Sequence, residues 1–145
     1  MALNNRGVAQ LELNALGAAE LDLSAAIDLD PQQFAAHCNR GWLRLGQQRY
    51  NAAIQDFTQA IARQPHLPMA YVYRGSALQK LGDLQGAVQD YSDAIACGDP
   101  VALPYCYRSA IYQSQGIRCG DRRPGISQNP PDRPGRSPDP VFRAA

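Results

Sequence analysis

An arginine followed by glycine recurs at Arg6-Gly7, Arg40-Gly41 and Arg74-Gly75, and Arg108-Ser109 continues the series at the same interval of 34 residues. The same shift carries Ala19 to Ala53 and Ala87, Asp22 to Asp56 and Asp90, and Leu23 to Phe57 and Tyr91. It also carries Ala26 to Ala60 and Ala94, and Ile27 to Ile61 and Ile95. Pro31 and Pro65 keep the interval, while Pro100 lies one residue late, after an insertion near Gly98. A fixed period of this length describes a stack of like units. Each unit is too small to bury its apolar face alone, so the core forms between neighbours.

Within a period the apolar residues have helical spacing. Ala53, Phe57, Ala60 and Ile61 stand at i, i+4, i+7 and i+8, one stripe of an α-helix. Upstream, residues 33–46 and 69–81 predict a second helix per period, each with a glycine inside it, Gly41 or Gly75. Glycine in a helix interior costs about 1 kcal/mol relative to alanine, so its recurrence points to close packing of two helices. The Asp30-Pro31 and Gln64-Pro65 steps end the second helix of each pair. The expected fold class is therefore all-α, built from helix-turn-helix hairpins.

The composition changes near Gly116 to Gly120. Of the 22 alanines, 20 lie in residues 1–118, whereas six of the eleven prolines lie in the last 27 residues with Arg122, Arg123, Arg133, Arg136 and Arg143. Alanine favours helix and proline breaks it, so residues 117–145 read as a Pro/Arg-rich, extended or disordered tail. The net charge of +1 hides this division, since residues 1–118 carry 9 basic against 10 acidic side chains and the tail 5 against 3.

That balance excludes a reader of polyanions, which needs a clustered basic excess, so no nucleic-acid partner is expected. No uncharged apolar run is long enough to span a bilayer, and the start lacks the pattern of a secretory signal, so a cytoplasmic location is expected. Cys38, Cys97, Cys106 and Cys119 form no Cys-x-x-Cys pair, and His37 and His66 fall at no zinc-site spacing, so free thiols and no metal are expected. No phosphate-binding glycine loop, nucleophile elbow or paired histidine and nucleophile occurs, which argues against an enzyme. His37 occupies the place held by Tyr71 and Tyr105 in later copies, where packing is the simpler role.

The recurring Arg6, Arg40, Arg74 and Arg108 precede the small residue of each first helix, and Asp22, Asp56 and Asp90 precede the large apolar residue of each second helix. Both keep the core period. They are expected to form a ladder of arginine-carboxylate pairs, within a hairpin or between the aspartate of one copy and the arginine of the next.

These residues resemble the tetratricopeptide repeat, a 34-residue helix hairpin with a bulky residue, a small residue four further on, Leu-Gly at the turn, then alanine, an aromatic, alanine and proline. The third copy matches best, with Tyr71, Gly75, Leu78, Leu81-Gly82, Ala87, Tyr91, Ala94 and Pro100. The second keeps Gly41, Tyr50, Ala53, Phe57, Ala60 and Pro65 but has Gln47-Gln48 at its turn, and the first holds Gly7, Leu16, Ala19, Leu23, Ala26 and Pro31. The resemblance implies a right-handed α-solenoid over residues 1–116, with copies at about 1–33, 34–67 and 68–101 and a partial fourth at 102–116. In the fourth, Tyr105, Arg108, Tyr112 and Gly116 match the third, and then the tail replaces the second helix. Two explanations stand: a capping helix from about residue 101 to 115 followed by a linker, or a shifted reading frame. Codons allowed for Ser127 to Pro134, read one base later, can spell His-Lys-Thr-Leu-Arg-Ile-Asp-Pro, similar to the end of a second helix.

The resemblance further implies a protein-protein interaction module or assembly scaffold without a cofactor, holding a partner peptide on the face lined by first helices. The residues that family analogy turns to that face include Asn5, Asn39, Tyr73 and Tyr107, together with Val8, Trp42, Ser76 and Ala110. Asparagine can donate to and accept from a main chain, and tryptophan and tyrosine suit interface anchors, although packing between hairpins would also account for the aromatics. The carboxylate clamp of the family is expected to be absent: Asn39 fits it, but Asn4, Val8, Met69 and Tyr73 stand where lysine, asparagine, lysine and arginine are required. With no cap before the first helix and an incomplete fourth copy, the ends are expected to expose apolar surface that invites self-association or a missing neighbour. A substrate-recruiting fragment of a larger enzyme, such as a kinase or glycosyltransferase, and a truncated non-functional remnant are the alternative readings.

Overall fold

The computed structural model describes residues 2–98 and 103–116. The tail, with Cys119 and the segment that bears on the reading frame, lies outside these described residues, as do the first two residues of the helix expected to start at 101. The described residues form seven helices and no strand. They fall into two compact units that divide after His66. The first contains α1 (Ala2–Glu12), α2 (Leu16–Leu29), α3 (Phe34–Gly46) and α4 (Tyr50–Arg63). The second contains α5 (Pro68–Lys80), α6 (Leu84–Ala96) and α7 (Leu103–Ser114).

In the first unit α1 pairs with α2 and α3 with α4, and α3 packs on both helices of the preceding hairpin. Leu11, Ala19, Leu23 and Leu43 are buried together with Leu16 and Trp42 against them, and Ala26, Ile27 and Ala36 form a second cluster with Leu3. In the second unit α5 pairs with α6, and α7 packs on α6. Val72, Ala87, Tyr91, Ala94 and Ile111 form its core. The repeated alanines let the helices of each hairpin approach, while the one large residue per second helix fills the space between them.

That large residue explains the glycine of each first helix. A Cβ built on Gly41 would lie 2.9 Å from Phe57 Cε1, and one on Gly7 would lie 2.9 Å from Leu23 Cγ. The helix therefore accepts the cost of glycine because no side chain fits between it and its partner.

The three hairpin turns share one conformation despite different residues. Asn14, Gln48 and Gly82 have φ of 58°, 61° and 87°, the left-handed region that ends a helix. Behind each, an N–H reaches back over the last turn: Ala15 N to Gln10 O at 2.8 Å, Arg49 N to Arg44 O at 2.8 Å and Asp83 N to Leu78 O at 3.0 Å. The second helices stop where proline follows, and the amides of Asp30 and Gln64 still donate to Ala26 O and Ala60 O.

Candidate functional site

Each hairpin brings its arginine and aspartate together across 16 residues of chain. Arg6 donates from Nε and Nη2 to the two oxygens of Asp22, both at 2.6 Å. Arg74 does the same to Asp90 at 2.8 and 2.7 Å. Arg40 meets Asp56 at 3.1 Å through Nε and 2.8 Å through Nη2. All three pairs lie within a hairpin. The arginines of α3 and α7 also reach back 16 residues, Arg40 Nη1 to Ser24 Oγ at 3.2 Å and Arg108 Nη1 to Ser92 Oγ at 3.3 Å. One guanidinium thus joins a first helix to both second helices beside it, a use of its five donors that lysine could not copy.

The middle rung carries more than its period suggests. Arg44 Nη1 donates to Asp56 Oδ2 at 3.0 Å and its Nε to Glu20 Oε1 at 3.2 Å, and Arg49 Nη1 holds Glu20 at 2.8 and 2.9 Å. His37 is buried, with Nε2 3.2 Å from Pro31 O and Nδ1 3.9 Å from Asp56 Oδ1, a separation too long for a hydrogen bond. Burial alone would raise the Asp56 carboxyl, but His37, Arg40 and Arg44 together hold it below its ordinary range. At Asp90 burial wins: with Arg74 as its cationic partner and Asp93 and Asp83 nearby, its carboxyl is pushed up.

The first-helix faces differ from the expectation in two places. In the first unit Asn5 is exposed and Trp42 half-buried, but Asn39 is wholly buried and its Nδ2 donates to Asn4 Oδ1 at 3.0 Å. Asn39 thus ties α3 to α1, and its amide faces Asn4 where an open groove was expected. Val8 also lies in the core, 1% exposed, because α2 and α3 pack over it. In the second unit Tyr73 and Ser76 are half-buried, Ala110 is exposed, and Tyr107 stacks on Tyr91 with ring centroids 5.4 Å apart and planes at 28°. Arg74 and Arg108 lie over the rings of Tyr71 and Tyr105 at 5.7 and 5.5 Å.

Cys38 is buried and its thiol pushed up by that burial, Cys97 is half-buried with a thiol raised for the same reason, and Cys106 is exposed. Among the described residues no group of three or more histidine, cysteine, aspartate or glutamate side chains could hold a metal ion, and no helix is long and apolar enough to cross a membrane.

The family model for the tetratricopeptide repeat matches residues 38–102, which cover most of the second hairpin and all of the third. These are tetratricopeptide repeats. Solved structures share the tetratricopeptide fold over most of the chain. MamA superposes with a TM-score of 0.77 at 22% identity, over 80% of this chain and 68% of that one. The first TPR of Spaghetti (RPAP3), bound to the HSP90 peptide SRMEEVD, gives 0.76 at 21% identity over 79% and 91%. The second TPR domain of human RPAP3, in complex with the HSP70 peptide SGPTIEEVD, gives 0.71 at 26% identity over 75% and 91%. No match emerged among curated protein sequences.

Arg44 and His37 are the residues that the repeat pattern passes over. The copies on either side carry Gln10 and Leu78 in place of Arg44, and Leu3 and Tyr71 in place of His37. Their signal was a basic side chain without a counterpart one period away.

Proposed function

We propose that this chain is a non-catalytic protein-interaction module, working in the cytoplasm without a cofactor, that holds a partner peptide on the first-helix faces of its tetratricopeptide repeats. The observation that carries the reading is the Tyr107 ring, 38% exposed and braced from behind by the buried Tyr91. A rigid, half-open aromatic loses little side-chain freedom when a partner covers it, which is the property of an interface anchor. In the first unit Trp42 has the same character, packed against the buried cluster of Leu11, Ala19, Leu23 and Leu43 while itself only half-buried. The RPAP3 domains with bound peptides support the same use of the fold.

The residues do not fit an acidic peptide end. Asn4 is buried against Asn39 where the clamp needs a lysine, Val8 supplies no amide where it needs asparagine, and Met69 and Tyr73 supply no cation where it needs lysine and arginine. The favoured partner is neutral: in the first unit it offers an apolar or aromatic side chain to Trp42, with Asn5 on α1 and Asn39 setting the spacing of α1 and α3, and in the second it offers one to Tyr107, with Tyr73 and Ser76 on α5. A pull-down from the source cell with wild type and a Trp42→Ala/Tyr107→Ala variant tests this. The variant is expected to lose the partner, and equal recovery with an unchanged helical spectrum would remove the reading.

A further inference from the structure

The outer face of α2 is unlike that of any later second helix. Gly17, Leu21, Ala25 and Leu29 stand four apart along it, with Leu21 and Leu29 exposed to 73% and 78%. One repeat later the same places hold Asn51, Gln55, Gln59 and Arg63, and two repeats later Gln85, Gln89, Asp93 and Cys97. The chain therefore keeps this face polar in α4 and α6 and apolar in α2. Leu13, in the turn before α2, is exposed as well, to 79%. Two large leucines beside open water gain little from folding, and a contiguous apolar face on one helix marks a surface that is normally covered.

We propose that a second copy of this chain covers it, α2 against α2 in antiparallel order about a two-fold axis. The order of sizes along the row is small, large, small, large. Reversed, it becomes large, small, large, small, so each leucine meets a gap: Leu21 faces Ala25 of the second copy, and Leu29 faces its Gly17. A Cβ placed on Gly17 would meet nothing within 4 Å, which leaves that gap open for Leu29 to enter. Rows of residues four apart are the ridges that interdigitate in the commonest mode of helix packing.

Charge selects the same arrangement. The residue before α2, Ala15, provides no side-chain cap, and the first turn of α2 has no acidic residue, so its N–H groups keep their partial positive charge. The antiparallel order brings the exposed Asp28 of the second copy to that end. A parallel order would set leucine on leucine and Asp28 beside Asp28. The isologous contact closes on itself as a dimer. It uses neither Trp42 nor Tyr107, so it stands apart from the peptide-binding reading.

Sedimentation of the full chain tests the proposal. Wild type is expected to reach the mass of a dimer with a dissociation constant of about 1 mM or tighter, and Leu21→Glu to raise that constant at least about tenfold. Leu21 and Ala25 face each other across the axis, so mixing a Leu21→Glu chain with an Ala25→Arg chain is expected to give a tighter dimer than either variant forms alone. Circular dichroism checks that both variants keep the helical spectrum of the wild type, Leu21 being exposed and Ala25 half-buried. A wild type that stays monomeric would overturn the proposal, as when the face receives a different segment. So would a dimer indifferent to Leu21→Glu, or a mixture that associates no more tightly than either variant alone.

Discussion

The Tyr91 ring lies so close to Gly75 that a Cβ built on the glycine would stand 2.9 Å from Cε1. Tyr91 is wholly buried and its hydroxyl donates to Gln79 Oε1 at 3.0 Å, so the ring cannot swing aside without losing both contacts. Alanine at Gly75 gains up to about 1 kcal/mol of helix propensity but must displace that ring. Overpacking of this kind costs about 1–3 kcal/mol, so Gly75→Ala is expected to destabilise the second unit. Gly46 supplies the control. It too is helical, yet a Cβ there meets nothing within 4 Å, and Gly46→Ala is expected to leave stability equal or raise it. Urea denaturation of the two variants measures the difference, and a stabilised Gly75→Ala would contradict the packing account.

The arginine-aspartate rungs should not contribute equally. Asp56 is the most buried of the three carboxylates by side chain, at 3%, and serves Arg40 and Arg44 with His37 at its edge. Removing it strands partly buried cations, and loss of one member of such a buried set costs about 3–5 kcal/mol. Asp56→Ala is therefore expected to bring the first unit close to unfolding. Arg6 is 63% exposed by side chain, so Arg6→Ala leaves an aspartate that water can reach, and its effect is expected to be much smaller. Thermal melts of the two variants rank them, and a larger loss at Arg6 would refute the ordering.

The periodic part of this arrangement could be read from residues alone. Gly75 and Tyr91, or Arg40 and Asp56, repeat together at one separation, so any account of the period had to place them near each other. The contacts that escaped are those whose partner the period does not fix. Arg44 bridges Glu20 and Asp56 although its counterparts are Gln10 and Leu78. Asn39 bonds Asn4 across 35 residues, a contact set by how near α1 and α3 approach. Periodicity gives the positions of helices relative to their own hairpin. It carries no information on a side chain whose partner depends on the distance between hairpins.

The turn at Gln48 is a place where the second copy departs from the best-matched one. Gly82 takes φ of 87° without strain, whereas Gln48 holds 61° with a Cβ that crowds the following carbonyl. The residue is exposed, and among the described residues no side-chain hydrogen bond of its own accounts for keeping it. Gln48→Gly is expected to stabilise the first unit by about 1 kcal/mol, since relief of left-handed strain outweighs the added freedom of the unfolded chain. A lowered denaturation midpoint would show that the glutamine makes a contribution beyond its backbone.

Acid should separate the two units. Asp22 is held below its ordinary value by the Arg6 hydrogen bonds, and Glu20 and Asp56 are held down by arginines against the opposing effect of burial. Such groups bind protons less readily when folded than when unfolded. Their contribution is present above the unfolded carboxylate values and is lost as pH falls toward the folded ones. Asp90 has the opposite sign, because burial raises its carboxyl in the folded state. It binds a proton more readily when folded, so the stability linked to it is fully present at acid pH and is lost as pH rises through its folded value. Between about pH 5 and pH 3 the first unit is therefore expected to weaken while the second is partly relieved. Hydrogen exchange followed by mass spectrometry, corrected for the intrinsic pH dependence of exchange, should show α1 to α4 losing protection before α5 and α6. Loss in the reverse order would mean that the multiple cationic contacts around Asp56 do not outweigh its burial.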